Sequence, residues 1–194
     1  MRAAYSARAA EYVEAVGGIE HAAQQDRERI VSWARGIEGR VIDVGCGPGQ
    51  WTDHLHRAGV DIEGVDPTEA FVEGAILRYP AARYRAGQAE DLGVRDGALG
   101  GILAWFSLIH TSPTSIDAPL EEFARCLAPG GGLLIGYFDG TACEPFDHAV
   151  TTAYYWSAEA LAERLDRAGF VVTEVHARAD PGVRRQGTII ACRG

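Results

Sequence analysis

The sequence contains no lysine, because all 18 basic side chains among its 194 residues are arginines. A phosphate-binding P-loop needs the pattern G-x-x-x-x-G-K-[ST], so this absence excludes that motif. Apolar runs are also short, and none approaches the roughly 18 residues that a membrane-spanning helix requires. The four cysteines include no C-x-x-C pair and the six histidines show no metal-ligand spacing. We therefore predict no metal site and no disulfide framework.

Basic charge is scarce as well, since 27 acidic residues face 18 basic ones and the net charge is −9. Nucleic-acid binding requires a basic face, so the composition predicts no nucleic-acid partner. Residues 1–18 carry charge throughout and lack the apolar core of a signal peptide. We expect a cytoplasmic protein with no membrane association, either monomeric or homodimeric, whose residues 1–194 form one domain.

Apolar segments with strand character alternate with amphipathic segments of helical period. This alternation predicts an α/β fold: a single Rossmann-like, doubly wound domain with helices on both faces of a mostly parallel, seven-stranded sheet. The last strand follows its neighbour closely and is predicted to be antiparallel. Residues 1–36 are expected to form an N-terminal helical cap. The longest predicted irregular stretch is 139–155, and long loops in compact domains are often functional.

A glycine-rich loop follows the first predicted strand in the stretch "IDVGCGPGQW", residues 42–51. Glycines at 45, 47 and 49 let a ligand approach the backbone closely. A dinucleotide fingerprint needs its third glycine where Gln50 stands, which disfavours a nicotinamide-dependent dehydrogenase. Asp43 lies inside the preceding strand, where a carboxylate is costly unless it is hydrogen-bonded. It either ties down the amides of the loop or also orders the ligand site.

Asp66 ends the second predicted strand, 21 residues after Gly45. In open parallel sheets an acid at about this offset accepts hydrogen bonds from ribose hydroxyls. Asp66 is also a candidate N-cap, with Pro67 at the first helical position and Glu69 completing a capping box. The two roles are compatible, because a cap at this position stands where the ligand binds.

The stretches "VIDVGCGPGQW" and "GVDPTE" together resemble the class I S-adenosylmethionine-dependent methyltransferases, whose first motif reads like hhDhGCGxG. The resemblance extends over roughly residues 40–176 and includes "RCLAPGGGLLIGYF" and "YWSAEALAERLDRAGF". It implies S-adenosyl-L-methionine as the cofactor and methyl transfer as the reaction. It also implies that the backbone at the three glycines passes under the methionine part and the ribose, and that Asp66 holds the ribose. The segments involved place Asp43, Gly45, Cys46, Gly47, Gly49 and Pro67 among the cofactor-binding residues.

The same resemblance implies further cofactor contacts. Gln88 stands where the family often has an aspartate that accepts from the adenine amino group, and Ala89 would donate its amide to the ring. Trp105 and Phe106 end the fourth strand near the expected sulfonium, which an aromatic face can hold by cation–π attraction; Phe106 is equally well explained as core. Tyr5 and Tyr12 resemble tyrosines that cover the cofactor's carboxylate, or they form an ordinary helix stripe.

Two features point to a small-molecule acceptor. The sequence "WFSL" stands where methyltransferases of nucleic-acid amines often carry [DN]-P-P-[YF], and the chain is acidic. The stretch 139–155 carries several aromatic residues, so we predict an acceptor lid there. His148 in this stretch and His110 after the fourth strand are candidate general bases, although His110 is also able to bond loop backbone. The alternative is a cofactor-binding protein without turnover, acting as a sensor or partner subunit.

Overall fold

The computed structural model describes residues 18–148 and 151–194, in which strands and helices alternate. The strands are β1 (Val41–Val44), β2 (Ile62–Asp66), β3 (Arg83–Ala86), β4 (Leu99–Trp105), β5 (Leu127–Asp139), β6 (Pro145–Phe146), β7 (Ala153–Trp156), β8 (Phe170–Arg178) and β9 (Gln186–Arg193). The helices are α1 (Gln24–Arg35), α2 (Gln50–Arg57), α3 (Glu69–Arg78), α4 (Asp117–Cys126) and α5 (Ala158–Arg167).

The main sheet has the strand order β3-β2-β1-β4-β5-β9-β8. Strands β1 to β5 are mutually parallel, and β9 runs antiparallel to both of its neighbours. The predicted doubly wound, mostly parallel sheet with an antiparallel last strand is therefore confirmed. The predicted count of seven strands is too low, because the short strands β6 and β7 extend the sheet to nine. Because the carboxyl ends of parallel strands meet at one edge, the segments after β1, β2, β4 and β5 gather there. We call this the carboxyl edge.

Burial on both faces explains why the central strands read as continuous apolar runs. All four residues of β1 are buried. One core cluster packs the sheet against α4 and α5 and includes Phe123, Leu165 and Phe170. A second cluster packs the opposite face against α1 and α2 and includes Ile30 and Leu55. The helices thus cover the two faces, and they leave the carboxyl edge as the place for a site.

The structure departs from the sequence-based expectations at two segments. The stretch 139–155 is not wholly irregular, since it contains the antiparallel pair β6–β7, and β7 also adds to the end of β5 in parallel. Within the predicted N-terminal helical cap of residues 1–36, the described part consists of a short 3₁₀ turn at Ile19–His21 and the helix α1, which begins only at Gln24. The first predicted helix, with Tyr5 and Tyr12, lies outside the described residues. No helix in the described part of the chain is long and apolar enough to cross a membrane.

Candidate functional site

A cavity of about 490 Å³ lies at the carboxyl edge. Its wall combines the glycine-rich loop, the ends of β2, β4 and β5, the start of α1 and the strand ends of β8 and β9. The sequence-predicted residues on this wall are Asp43, Gly45, Cys46, Gly47, Asp66, Pro67, Trp105, Phe106, His110 and His148. The fold therefore brings ten candidates from distant parts of the sequence to one cavity.

The three glycines of the loop have different structural roles. Gly47 has a φ of 52°, and a Cβ at this position would meet nothing within 4 Å, so the backbone there is open to the cavity. At Gly45 a Cβ would collide with the side chain of Ser107, which follows β4. At Gly49 it would lie 2.8 Å from atoms of both Ala75 and Tyr84. Gly49 thus permits close packing at the start of α2, and it does not line the cavity.

Asp66 fastens the glycine loop to the end of β2. Its Oδ2 accepts from the amide of Gly47 at 2.9 Å, and its Oδ1 accepts from the amide of Thr68 at 2.8 Å. Burial raises the pKa of this carboxyl, while both amides oppose the rise. The predicted capping box is wrong, because α3 begins at Glu69 with Thr68 as its N-cap and Pro67 precedes the helix. The carboxylate nevertheless stands on the cavity wall.

Asp43 is a buried acid below the loop, with only 1% of its surface exposed. Its Oδ2 accepts a 2.7 Å hydrogen bond from the hydroxyl of Thr52 in the first turn of α2. Burial raises the pKa of Asp43 to about 7, and the neighbouring Asp66 adds to the rise. The bond therefore ties β1 to α2. Sequence reasoning did not single out Thr52 as the partner of Asp43, because a threonine in a helix has no distinctive pattern.

An array of aromatic rings forms the cavity wall after β4 and β5. The rings of Phe106 and Phe138 have centroids 5.0 Å apart, and Trp105 packs edge-on to Phe106 at 5.1 Å. Phe106 has a φ of 54°, a left-handed conformation that is strained for a bulky residue and is most often found at functional sites. The turn at Phe106 places Ser107 against Gly45, so the glycine loop and the aromatic array share one corner.

The two predicted histidines lie on this same wall, with ring centroids 5.3 Å apart. The Nδ1 of His110 lies 2.8 Å from the carbonyl oxygen of Thr152, so it carries the proton and donates. The Nδ1 of His148 is buried and has no hydrogen-bond partner among the described residues. Burial lowers the pKa of both imidazoles, and at His148 the positive charges of protonated His110 and of Arg184 lower it further. Both rings are consequently neutral near pH 7.

Two residues predicted to contact the cofactor do not line the cavity, and a residue that was not predicted does. Gln88 is exposed and pairs with Asp91 in a short bridge, and neither Gln88 nor Ala89 lines the cavity. Arg178 from β8 does line it, in a 2.8 Å ion pair with buried Asp26 of α1. These partners are separated by 152 residues, so no local pattern announces them. Among residues 18–148 and 151–194, no group of three acidic, histidine or cysteine side chains is placed to hold a metal ion.

Comparisons with known proteins agree with this geometry. A family model described as a methyltransferase domain matches residues 41–131. An uncharacterized methyltransferase of Synechocystis is 27% identical in an alignment 163 residues long that covers 71% of this chain and 69% of that protein. A ubiquinone biosynthesis O-methyltransferase of Mesorhizobium japonicum is 30% identical over 113 residues, 56% of this chain and 45% of that protein. The matched stretches thus span about two thirds of the first relative and about half of the second.

Among solved structures, the Burkholderia thailandensis 1,6-didemethyltoxoflavin-N1-methyltransferase is similar with a TM-score of 0.80. The match covers 98% of this chain and 88% of that one at 20% identity, and that structure holds 1,6-didemethyltoxoflavin and S-adenosylhomocysteine. At this identity the likeness concerns the fold.

Proposed function

Because the chain belongs to the class I S-adenosylmethionine-dependent methyltransferases, with S-adenosyl-L-methionine as cofactor, we propose that it methylates a small-molecule acceptor. The observation that carries this proposal is the single cavity that joins the loop at Gly47 and Asp66 to the aromatic and histidine wall at Phe138 and His148. One end has the polar groups that a cofactor needs, and the other has the mostly apolar lining typical of small-molecule pockets.

The residues at the loop end fit the cofactor. The backbone at Gly47 is open, the carboxylate of Asp66 has acceptor capacity beyond its two amide partners, and the buried hydroxyl of Ser107 lacks a protein partner among the described residues. We propose that Asp66 holds the ribose hydroxyls and that the loop from Gly45 to Gly47 lies against the methionine part. When bound, S-adenosyl-L-methionine supplies the methyl group on a sulfonium that is itself the leaving group.

The chain's own contribution is then to hold the acceptor, exclude water and accept a proton where the acceptor carries one. His148 is the proposed general base, because its ring lines the cavity and its lowered pKa keeps the ring neutral near pH 7, the form that accepts a proton. The stretch 139–155 remains the proposed acceptor lid, restricted to residues before β7. Ala153 and Trp156 of β7 are buried in the core and form part of the sheet.

The test is cofactor binding followed by turnover. S-adenosylhomocysteine should raise the melting temperature of the protein, whereas NAD should not, since a ligand that binds only the native state stabilises it. A panel of small acceptors is then screened for formation of S-adenosylhomocysteine from S-adenosylmethionine. Cofactor binding without turnover of any acceptor would favour the sensor or partner-subunit alternative.

Replacing the base separates binding from chemistry. We expect His148→Ala to lower kcat by roughly 10²-fold or more with a hydroxyl acceptor while cofactor affinity stays unchanged. Because the pKa of His148 is lowered, the acidic limb of kcat in the parent should lie below pH 6.5, and the variant should lose that limb. His56→Ala is the matched control, since His56 is exposed and does not line the cavity. An unchanged rate and pH profile in His148→Ala would assign the base elsewhere.

A further inference from the structure

The aromatic side of the cavity is not only apolar, because neighbouring rings also hold its side chains in fixed positions. Phe138 contacts four other rings, those of Phe106, Phe146, His148 and Tyr155, with centroid distances from 5.0 to 6.4 Å. All four contacts are tilted or edge-on, the arrangements that aromatic quadrupoles favour. The ring of Phe138, which lines the cavity, is therefore held in place on several sides.

The backbone at the end of β4 also helps to fix the aromatic rings in place. Phe106 adopts its left-handed conformation while its amide donates to the carbonyl of Gly136 at 3.1 Å. Gly136 in turn lacks a side chain where the ring of Trp105 crosses β5. Strain of this kind persists only where surrounding contacts determine it, and here it directs a second ring towards Phe138.

The charges on the cavity wall indicate whether the acceptor itself is charged. Arg178 is the one arginine among the described residues that line the cavity, and it already pairs with Asp26 at 2.8 Å and Asp180 at 2.6 Å. Its guanidinium also donates to Gln186. The imidazoles of His110 and His148 are neutral near pH 7, as shown above. Arg184 lies over the ring of Phe146 and is not part of the cavity lining. A negatively charged acceptor would thus find no unpaired arginine among the described residues that line the cavity, and desolvating its charge would be unfavourable.

We propose that the methyl acceptor is an uncharged, planar aromatic or heteroaromatic molecule that stacks on Phe138 and directs its polar atom towards His110 and His148. This inference rests on the proposed methyltransferase function and adds the substrate class. A flat ring gains from offset or edge-on packing against fixed aromatic faces, which a saturated molecule of the same size cannot match.

Three probe molecules of nearly equal size distinguish the effect of planarity from the effect of charge. We would titrate the protein, saturated with S-adenosylhomocysteine, by calorimetry with 2-naphthol, with decahydro-2-naphthol and with 2-naphthoate. The first is flat and neutral, the second is neutral but saturated, and the third is flat but anionic. We expect 2-naphthol to bind roughly 3- to 10-fold more tightly than the saturated alcohol, and at least about 10-fold more tightly than the carboxylate.

Paired variants locate the binding. Phe138→Leu keeps an apolar side chain but removes the ring, and should remove the preference for 2-naphthol over the saturated alcohol. Phe170→Leu makes the same replacement at a core residue of β8 that does not line the cavity, and should keep that preference. Tightest binding by 2-naphthoate would overturn the uncharged class. Equal binding of the two alcohols, no binding of 2-naphthol, or an unchanged preference in Phe138→Leu would each overturn the aromatic class. Binding of S-adenosylhomocysteine in these same samples would leave the methyltransferase proposal standing, whereas its loss would refute both.

Discussion

The buried carboxyl of Asp43 predicts an unusual dependence of stability on pH. Its pKa is about 7 in the folded protein and 3.8 as the ordinary value. Between these values the folded state binds a proton that the unfolded state has released, so stability must fall as the pH rises. This direction is opposite to that of an ion-paired carboxylate, which gains stability over the same range.

Replacing Asp43 by asparagine isolates this effect. Each pH unit of difference in proton binding is worth about 1.4 kcal/mol, so the acid lowers stability relative to a neutral residue by about 2 kcal/mol at pH 5 and about 4 kcal/mol at pH 8. The advantage of Asp43→Asn over the parent should therefore grow by about 2 kcal/mol or more across this range. An asparagine oxygen still accepts from the hydroxyl of Thr52, whose bond to Asp43 is 2.7 Å long.

The assay is urea unfolding of both proteins, without cofactor, at pH 5 and pH 8. Carboxylates that are not coupled to Asp43 contribute equally to the parent and the variant, so their contribution cancels in the difference between the two free energies of unfolding. Equal slopes against urea concentration are needed for the comparison. A difference that stays constant within about 0.5 kcal/mol, or one that shrinks at pH 8, would refute the reasoning and mean that Asp43 is ionised in the folded protein.

Two other replacements test the neighbouring elements. Asp66→Ala should weaken cofactor binding by about 1.5–3 kcal/mol in calorimetry, and should lower stability as well because the amides of Gly47 and Thr68 lose their acceptor; unchanged affinity would limit Asp66 to holding the loop. Ser157→Ala should cost about 1 kcal/mol in urea unfolding, since the hydroxyl of Ser157 accepts from the amide of Ala160 and caps α5; an unaltered midpoint would show that the cap is not needed.

Sequence reasoning succeeded where the local pattern and the fold impose the same constraint. Because the central strands are buried on both faces, their continuous apolar runs could be recognised in the sequence. Because the carboxyl ends of parallel strands meet at one edge, Asp66 could be placed beside the loop at Gly47. It failed where the deciding contact joins distant segments. Gly49 looks like its neighbours in sequence, yet its role is set by Tyr84, which lies 35 residues further along and donates to its carbonyl at 3.2 Å. The pairing of Asp26 with Arg178 spans nearly the whole described chain.

We propose that the hairpin of β6 and β7 lets one fold keep its cofactor end while changing its acceptor. The amide of Tyr154 donates to the carbonyl of Ile109 at 2.8 Å, and the carbonyl of Thr152 accepts from His110 at 2.8 Å. The hairpin thus fixes the orientation of one histidine and, just before β7, carries the other. Its contacts reach β5 and the loop after β4, whereas the bond between Asp43 and Thr52 lies on the opposite side of β4. Changes in the hairpin should therefore alter which acceptor is held, and leave the groups proposed to bind the cofactor in place.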